Sequence, residues 1–187
     1  MLGMFRFVLL LASILTFVGG CDPPSGNTPT NNSSGAAAPD FTARDSFGNT
    51  FHMSEHLGKK VILLDFWSTY CEPCKAAFPH MREMYTKLKD KGFIVVGVAM
   101  DGPETVAEVR GFQERYSLNF PIVLDEDSRV ASLYNPKKAM PLSVLIDRTG
   151  KIAVVREGFN PGDEELIERD VKKALGQGPT ANTAEVR

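Results

Sequence analysis

The sequence predicts an α/β fold in which helices cover both faces of a central sheet that contains parallel strands. Two apolar runs of strand length, KVILLDFW at residues 60–67 and FIVVGVAM at residues 93–100, suit central strands that are buried on both faces. Segments with helical spacing of apolar residues separate these runs from later strands. The 187 residues include 21 basic and 23 acidic side chains, which suits one domain and argues against nucleic acid as a partner.

The first predicted element is a hairpin, since short strand-like segments at residues 41–44 and 50–53 flank the turn-rich sequence DSFGN. Residues 54–58 are typical of one helical turn closed by glycine. The strand at 60–67 then leads into a helix over residues 72–90, where Pro73 suits the first turn. The apolar residues that recur at helical spacing in it are Phe78, Met81, Met84, Tyr85 and Leu88.

The second half of the chain continues the alternation with shorter strands. After the strand at 93–100, a helix over residues 103–116 has apolar residues at Val106, Val109 and Phe112. The remaining predicted elements are a strand at 120–124, a helix at 128–134, two antiparallel strands at 142–147 and 152–156 joined by the turn RTGK, and a last helix at 163–175. Gly176 ends that helix.

The beginning of the chain is typical of a secretory signal peptide. Arg6 supplies an early positive charge, and the apolar run from Phe7 to Val18 is shorter than the roughly 20 residues of a membrane span. An uncleaved membrane anchor is the alternative. The sequence VGGC at residues 18–21 resembles a bacterial lipobox, in which the cysteine is diacylated and becomes the mature N-terminus. That resemblance implies that Cys21 carries the lipid that anchors the protein to a membrane.

The predicted organisation is a signal peptide at 1–20, a lipidated flexible linker at 21–38, a folded domain at 39–177 and a disordered tail at 178–187. The linker contains no large apolar residue, so it cannot bury enough surface to become ordered. We expect the domain to face the periplasm or the outer side of a bacterial cell membrane, where disulfides persist. With Cys21 used for lipid, two of the three cysteines remain as a pair.

That pair is Cys71 and Cys74, in the sequence WSTYCEPCK. Cys71 follows a buried strand and opens a helix, where unpaired N–H groups and the helix dipole stabilise a thiolate. Cysteines in such positions can have a thiol pKa of roughly 3.5–7.5. Cys74 lies one turn along the same face, within reach of a disulfide. We therefore predict that Cys71 attacks a partner disulfide and that Cys74 resolves the mixed disulfide.

Other uses of the two cysteines fit the sequence less well. A structural disulfide usually closes a longer loop, and zinc needs about four ligands, whereas no second CxxC follows. A thiol-dependent peroxidase stays open, although Ser68 stands where peroxiredoxins need Thr, three residues before the reactive cysteine. A Cu(I)-binding chaperone also stays open, although no Met or His arrangement clearly supplies further soft ligands. We expect no metal or other cofactor.

The sequences DFWSTYCEPCKAAFP and MPLSVLIDRTGK resemble the thioredoxin superfamily, and within it the extracytoplasmic TlpA/ResA/CcmG branch. The similarity covers most of residues 37–176, including the front hairpin and a segment at 101–135 inserted between the halves of the fold. It implies a thioredoxin-like fold, with a central mixed sheet flanked by helices. It also implies a thiol–disulfide oxidoreductase that exchanges its CxxC disulfide with partner proteins.

The resemblance assigns roles around the pair. Cys71 matches the exposed nucleophile and Cys74 its buried partner. Pro141 matches a cis-proline that faces the disulfide, and the backbone of Met140 before it is left free to pair with a bound peptide. The dipeptide Glu72–Pro73 influences the redox potential, and the sequence CEPC resembles ResA-like reductants rather than strong oxidants.

Four further positions complete the predicted site. Ala77 stands where ResA-type proteins carry a glutamate, whereas Asp65 matches the buried acid of thioredoxin. We expect Asp65 to be buried with a raised pKa, rather than solvated at a strand end, and to relay a proton to or from the second cysteine. Tyr70 replaces the usual tryptophan before the first cysteine and keeps an aromatic wall. Trp67 is expected in the core beneath the site.

These observations predict a monomeric, membrane-anchored thiol–disulfide oxidoreductase that acts outside the cytoplasm. The resemblance implies that it reduces disulfides in extracytoplasmic partner proteins, in cytochrome c maturation or copper-site assembly. It implies further that a membrane electron donor re-reduces the enzyme.

Overall fold

The computed structural model describes residues 35–176 and contains a seven-stranded mixed sheet with helices on both faces. Its elements are β1 (Thr42–Asp45), β2 (Thr50–His52), β3 (Val61–Trp67), α1 (Glu72–Leu88), β4 (Phe93–Ala99), α2 (Val106–Arg115), β5 (Ile122–Leu124), α3 (Arg129–Tyr134), β6 (Leu142–Ile146), β7 (Ile152–Glu157) and α4 (Asp163–Gly176). The predicted signal peptide, the lipidation site at Cys21 and the predicted tail lie outside the described residues. None of the helices within 35–176 is both long and apolar enough to cross a bilayer.

The strand order is β2-β1-β5-β4-β3-β6-β7. β4 pairs in parallel with β3 and β5, whereas β6 runs antiparallel to β3, and β7 runs antiparallel to β6. β3 is therefore an interior strand, and all seven of its residues are buried, as its uninterrupted apolar run predicted. The front hairpin extends the sheet because β1 pairs with β5. The predicted α/β class with a mixed sheet is confirmed.

The residues of β3 alternate between two apolar layers. Leu63 and Trp67 pack in a layer with α1, α2 and α4, which we call the disulfide layer because it also contains Cys71 and Cys74. Leu64 and neighbouring residues of the same parity pack on the other face with α3 and the front hairpin. Since alternate residues of a strand share a face, Asp65 lies on the face of the disulfide layer.

The ends of several elements differ from the sequence predictions. The strand predicted from residue 120 begins at Ile122, because Pro121 has no N–H to contribute to the ladder. The helix predicted from residue 103 begins at Val106, after a turn. The helical turn predicted at 54–58 is a 3₁₀ turn at Met53–Glu55, whose first side chain is fully buried. The helix predicted to end at residue 90 ends at Leu88, and another 3₁₀ turn follows.

Gly97 in β4 makes room for Trp67 in the disulfide layer. A Cβ atom at residue 97 would lie 2.5 Å from Cδ1 of Ile122 and 3.0 Å from Nε1 of Trp67. We therefore expect Gly97→Ala to lower the free energy of unfolding by about 1–3 kcal/mol, which is the usual cost of overpacking a core. Urea denaturation of the disulfide-bonded protein measures this change.

Gly111→Ala in α2 is the matched control, because nothing lies within 4 Å of a Cβ atom placed there. Alanine is favoured over glycine inside a helix, so this variant should be more stable than the wild type by about 0.5–1 kcal/mol. Equal stability of Gly97→Ala and the wild type would show that Ile122 and Trp67 move aside without cost.

Candidate active site

The two cysteines form a disulfide at the start of α1, with their Cα atoms 5.4 Å apart. Cys71 is the N-cap residue, and its Sγ accepts a hydrogen bond from the backbone N–H of Cys74 at 3.3 Å. Pro73 lies in the first turn, where its missing N–H is not needed. When the pair is reduced, the same N–H group and the helix dipole stabilise a thiolate on Cys71.

The two cysteines differ in access to solvent. Cys71 is 7% exposed, whereas Cys74 is fully buried. In this disulfide-bonded form Cys71 is therefore less exposed than the resemblance implied, although it is still the only one of the two that an incoming sulfur can reach. Tyr70 stands beside it at the surface with 62% of its area exposed.

The charged residues next to the pair neutralise each other. Glu72 forms an ion pair with Lys75 one turn along the helix. The ammonium group of Lys75 also lies 5.6 Å from the centre of the Phe112 ring. Because the opposite charges of Glu72 and Lys75 are paired, neither acts alone on the sulfur of Cys71.

Trp67 lies in the core, as the sequence predicted. It is fully buried, and its ring centre lies 5.0 Å from that of Phe78 in an edge-on arrangement and 5.2 Å from that of Phe112. Ala77, at the position where ResA-type proteins carry a glutamate, is also buried in the disulfide layer. Position 77 therefore supplies no carboxylate to the site.

Asp65 in β3 has a buried carboxyl group on the same face of the sheet as the disulfide layer. It is 1% exposed, and the hydroxyl of Ser143 donates a hydrogen bond to its Oδ1 at 3.3 Å. Burial raises the pKa of Asp65 to about 7, and the hydrogen bond from Ser143 opposes part of this rise. The predicted burial of Asp65 is confirmed, and the direction of its pKa shift is the predicted one. Ser143, which lies opposite Asp65 in the register of β3 and β6, was not predicted.

The segment between β3 and Cys71 is held by a residue that the sequence did not reveal. Asp101 lies two residues after the end of β4 and is fully buried. It accepts hydrogen bonds from the backbone N–H of Thr69 at 3.1 and 3.2 Å and from the hydroxyl of Thr69. The N–H of Cys71 donates to the carbonyl of Ser68. A signal was present, since Asp101 follows a buried parallel strand and the carboxyl ends of such strands gather at one edge of the sheet.

The Met140–Pro141 peptide bond is cis, as the resemblance implied. Pro141 is buried directly before β6, and its carbonyl accepts a hydrogen bond from the N–H of Gly158 at 2.8 Å. Met140 packs against the disulfide layer. Within residues 35–176, the backbone N–H and carbonyl of Met140 make no hydrogen bond. Its peptide groups are therefore available beside the layer that holds the cysteines.

Metal-binding side chains do not gather near the pair. Among the described residues, no three His, Cys, Asp or Glu side chains are placed to hold one metal ion. The arrangement at Cys71 and Cys74 is instead suited to thiol–disulfide exchange, because it combines a reachable sulfur at a helix N-terminus with an enclosed second sulfur.

Comparisons with known proteins agree with this geometry. The sequence model of the AhpC/TSA family matches residues 34–155. The thiol–disulfide oxidoreductase ResA of Bacillus thuringiensis subsp. konkukian is 35% identical over 139 residues, which is 74% of this chain and 77% of that protein. ResA of Bacillus subtilis is 38% identical over 126 residues, or 67% and 68% of the two chains. A Chlorobium tepidum crystal structure assigned as thiol:disulfide interchange protein DsbE has a TM-score of 0.72 and 36% identity, covering 78% of this chain and 100% of that one.

Asp65 should make the stability of the fold depend on pH. Its pKa is raised from 3.8 to about 7 in the folded protein, so the folded state holds this proton more tightly than the unfolded state does. The contribution of Asp65 to stability is therefore full below pH ~4 and is lost as the pH rises through ~7. A pKa that is about 3 higher in the folded than in the unfolded protein corresponds to about 4 kcal/mol in the free energy of unfolding. In urea denaturation, the free energy of unfolding of Asp65→Asn should exceed that of the wild type by up to about 4 kcal/mol at pH ~8. At pH ~4 the two free energies should be equal.

Asp90→Asn is the matched control, because it removes an exposed carboxylate and reports the change in net charge alone. A difference between the wild type and Asp65→Asn that stays constant from acid to alkaline pH would contradict the raised pKa of Asp65.

Proposed function

Because this chain belongs to the AhpC/TSA family and is a thiol–disulfide oxidoreductase of the ResA type, we propose that it reduces disulfides in partner proteins outside the cytoplasm. The observation that carries this proposal is the unequal cysteine pair at the start of α1, where Cys71 can be reached and Cys74 cannot. The unpaired peptide groups of Met140 beside the same layer supply a place for the partner's backbone.

In the first step the thiolate of Cys71 attacks one sulfur of the partner's disulfide. A new S–S bond forms between Cys71 and that sulfur, the partner's own S–S bond breaks, and its second sulfur leaves as a thiolate that takes a proton from water. Cys71 is suited to this role because its Sγ faces an N–H of the first helical turn. The fully buried Cys74 cannot make the same attack on a protein.

In the second step Cys74 resolves the mixed disulfide. Its thiol loses a proton to the Asp65 carboxylate, and the resulting thiolate attacks the Sγ of Cys71. The intramolecular disulfide forms, the S–S bond between Cys71 and the partner breaks, and the partner's sulfur leaves as a thiolate that takes a proton from water. Both of the partner's sulfurs are then reduced, so that two electrons have passed from the enzyme to the partner. A group with a pKa of about 7 can accept and release a proton near neutral pH. A membrane electron donor would then restore the dithiol.

The partner is a protein rather than a small disulfide, because the site offers backbone contacts. An extended segment of the partner can pair with the N–H and carbonyl of Met140, in the segment before β6, as one strand pairs with another. Tyr70, exposed next to Cys71, offers an aromatic surface to the same segment. Partners of this kind include apocytochrome c and copper-site assembly proteins, whose cysteines the enzyme reduces. The enzyme acts on these partners as a monomer.

The proposed anchor is a lipid on Cys21 in a bacterial cell membrane, with the domain on the extracytoplasmic side. Support comes from where the described chain begins. The N–H of Gly35 donates to the carbonyl of Ile152, and that of Ala38 donates to Gly150. These contacts lie at the start of β7, which is the end of the sheet opposite the disulfide, because β3 and β7 both run toward the disulfide end. Gly35 and Ala38 therefore lie away from the opening at Cys71.

A peroxidase that uses the same pair is the second candidate, and it is favoured by one observation. Ser68, three residues before Cys71, is fully buried, and its hydroxyl has no hydrogen-bond partner among the described residues. Rapid consumption of hydrogen peroxide by the reduced protein, without reduction of protein disulfides, would favour this candidate. The reverse result is expected for the proposed reductase.

A Cys74→Ser variant should trap the partner. Without the resolving thiol, the mixed disulfide on Cys71 persists. In cells we expect covalent complexes that disappear on treatment with dithiothreitol, and mass spectrometry of these complexes identifies the partner. Cys71→Ser is the matched control and should trap none, because Cys74 is fully buried. Equal trapping by the two variants would show that the order of attack is wrong.

A Cys21→Ser variant of the full chain should leave the membrane fraction. If lipid on Cys21 is the anchor, its loss should release the domain, and labelling with a fatty-acid analogue should disappear as well. Ser25→Ala, four residues further along the linker, should behave like the wild type. A Cys21→Ser protein that stays in the membrane fraction would instead indicate an uncleaved N-terminal anchor.

A further inference from the structure

Asn135 is a buried polar residue that the reaction described above does not use. It follows α3 and is 1% exposed. Its Nδ2 donates a hydrogen bond to the carbonyl of Ala139 at 2.7 Å, and its Oδ1 accepts one from the N–H of Ala139 at 2.9 Å. The same Nδ2 donates to the Sδ of Met100, directly after β4, at 3.6 Å. The side-chain amide therefore pairs with both backbone groups of one residue, as a neighbouring strand would.

The residue that Asn135 holds lies directly before Met140. Ala139 packs against the layer on the α3 face of the sheet, whereas Met140 packs against the disulfide layer on the opposite face. Two consecutive residues thus lie against opposite layers. A fixed position for Ala139 consequently fixes where the backbone of Met140 lies beside the cysteines.

The loop between Asn135 and Ala139 has few other attachments. Residues 136–138 are all exposed. Lys138 has a positive φ of 54°, a conformation that is uncommon for a residue with a side chain. Its N–H donates to the backbone carbonyl of Asn135 at 2.8 Å. The loop is therefore closed by Asn135 at both its backbone and its side chain.

We propose that Asn135 is a positioning residue for the protein substrate. By holding Ala139, it keeps the unpaired N–H and carbonyl of Met140 in the place where a partner's backbone binds. This inference rests on the proposed function, in which Met140 contacts the partner. Without the two hydrogen bonds the loop becomes ordered only when the substrate binds, and ordering at that moment weakens binding.

A substrate without a peptide backbone separates this role from a general structural one. Asn135 makes no hydrogen bond to Cys71 or Cys74. A small disulfide such as hydroxyethyl disulfide can react with the thiolate of Cys71, but it has no backbone to pair with Met140. A positioning role therefore predicts a loss with protein disulfides alone, whereas a general loss of structure predicts a loss with both substrates.

The experiment compares the reduced wild type and Asn135→Ala on insulin and on hydroxyethyl disulfide. We expect kcat/KM for insulin to fall roughly tenfold, which is the size of effect that follows from losing one or two hydrogen bonds. The fall should arise mainly from a higher KM. The rate with hydroxyethyl disulfide should stay unchanged. The second rate also reports that the variant is folded.

Asn119→Ala is the matched control. This exposed asparagine lies on a different loop and donates a hydrogen bond to the hydroxyl of Thr86 at 2.7 Å. Loss of this side chain should change neither rate. Asn135→Asp is a second variant in case Asn135→Ala does not fold. This variant keeps the volume of the side chain and the oxygen that accepts from the N–H of Ala139, but it loses the amide group that donates to the carbonyl of Ala139. A fall in kcat/KM for insulin alone is therefore expected again.

Two results would overturn the inference while leaving the proposed function in place. These are an equal loss with both substrates and no loss with either. A wild-type protein that reduces neither insulin nor hydroxyethyl disulfide would contradict the proposed function itself, and the role of Asn135 would fall with it.

Discussion

The junction between β3 and α1 places a sulfur atom against the unpaired N–H groups at the start of a helix. A strand buried along its whole length ends at Trp67, and five residues later α1 begins with Cys71 as its cap. Because β3 is fixed by neighbours on both sides, the position of the cap is fixed with it. The unequal burial of the two cysteines depends on this one placement, as do the proposed order of attack and the proposed approach of a partner.

The end of β4 supports both sides of the opening around the disulfide. Asp101 holds Thr69 on the segment that leads to Cys71. Met100, the residue before it, contacts the amide of Asn135 in the loop that leads to Met140. Two consecutive residues of one strand end therefore connect the sulfur-bearing segment and the proposed substrate-binding segment. Both connections use buried polar groups. These groups hold their partners in one geometry, because any other geometry would leave a buried donor or acceptor without a hydrogen bond, which costs free energy.

Asp65 shows how the site is built at the expense of stability. A carboxyl on an apolar strand has one hydrogen bond, from Ser143, and is otherwise desolvated. Its ionised form is costly at neutral pH, yet the same burial gives it a pKa of about 7, where it can exchange a proton with a thiol. The ResA-type glutamate position is Ala77 in this chain, so Asp65 is the acid on the disulfide side of the sheet that the proposed mechanism uses.

The sequence by itself determined the local features of this protein. Strand and helix order, the cysteine pair at a helix start and the burial of Asp65 follow from apolar periodicity and spacing, which depend on neighbouring residues. The cis bond at Pro141 followed from family resemblance. Only the tertiary structure decided which distant segments meet: β1 beside β5, Ser143 opposite Asp65, Asp101 at Thr69 and Asn135 at Ala139. These contacts depend on strand register and on how loops fold back over the sheet edge, and no short-range pattern encodes either of them.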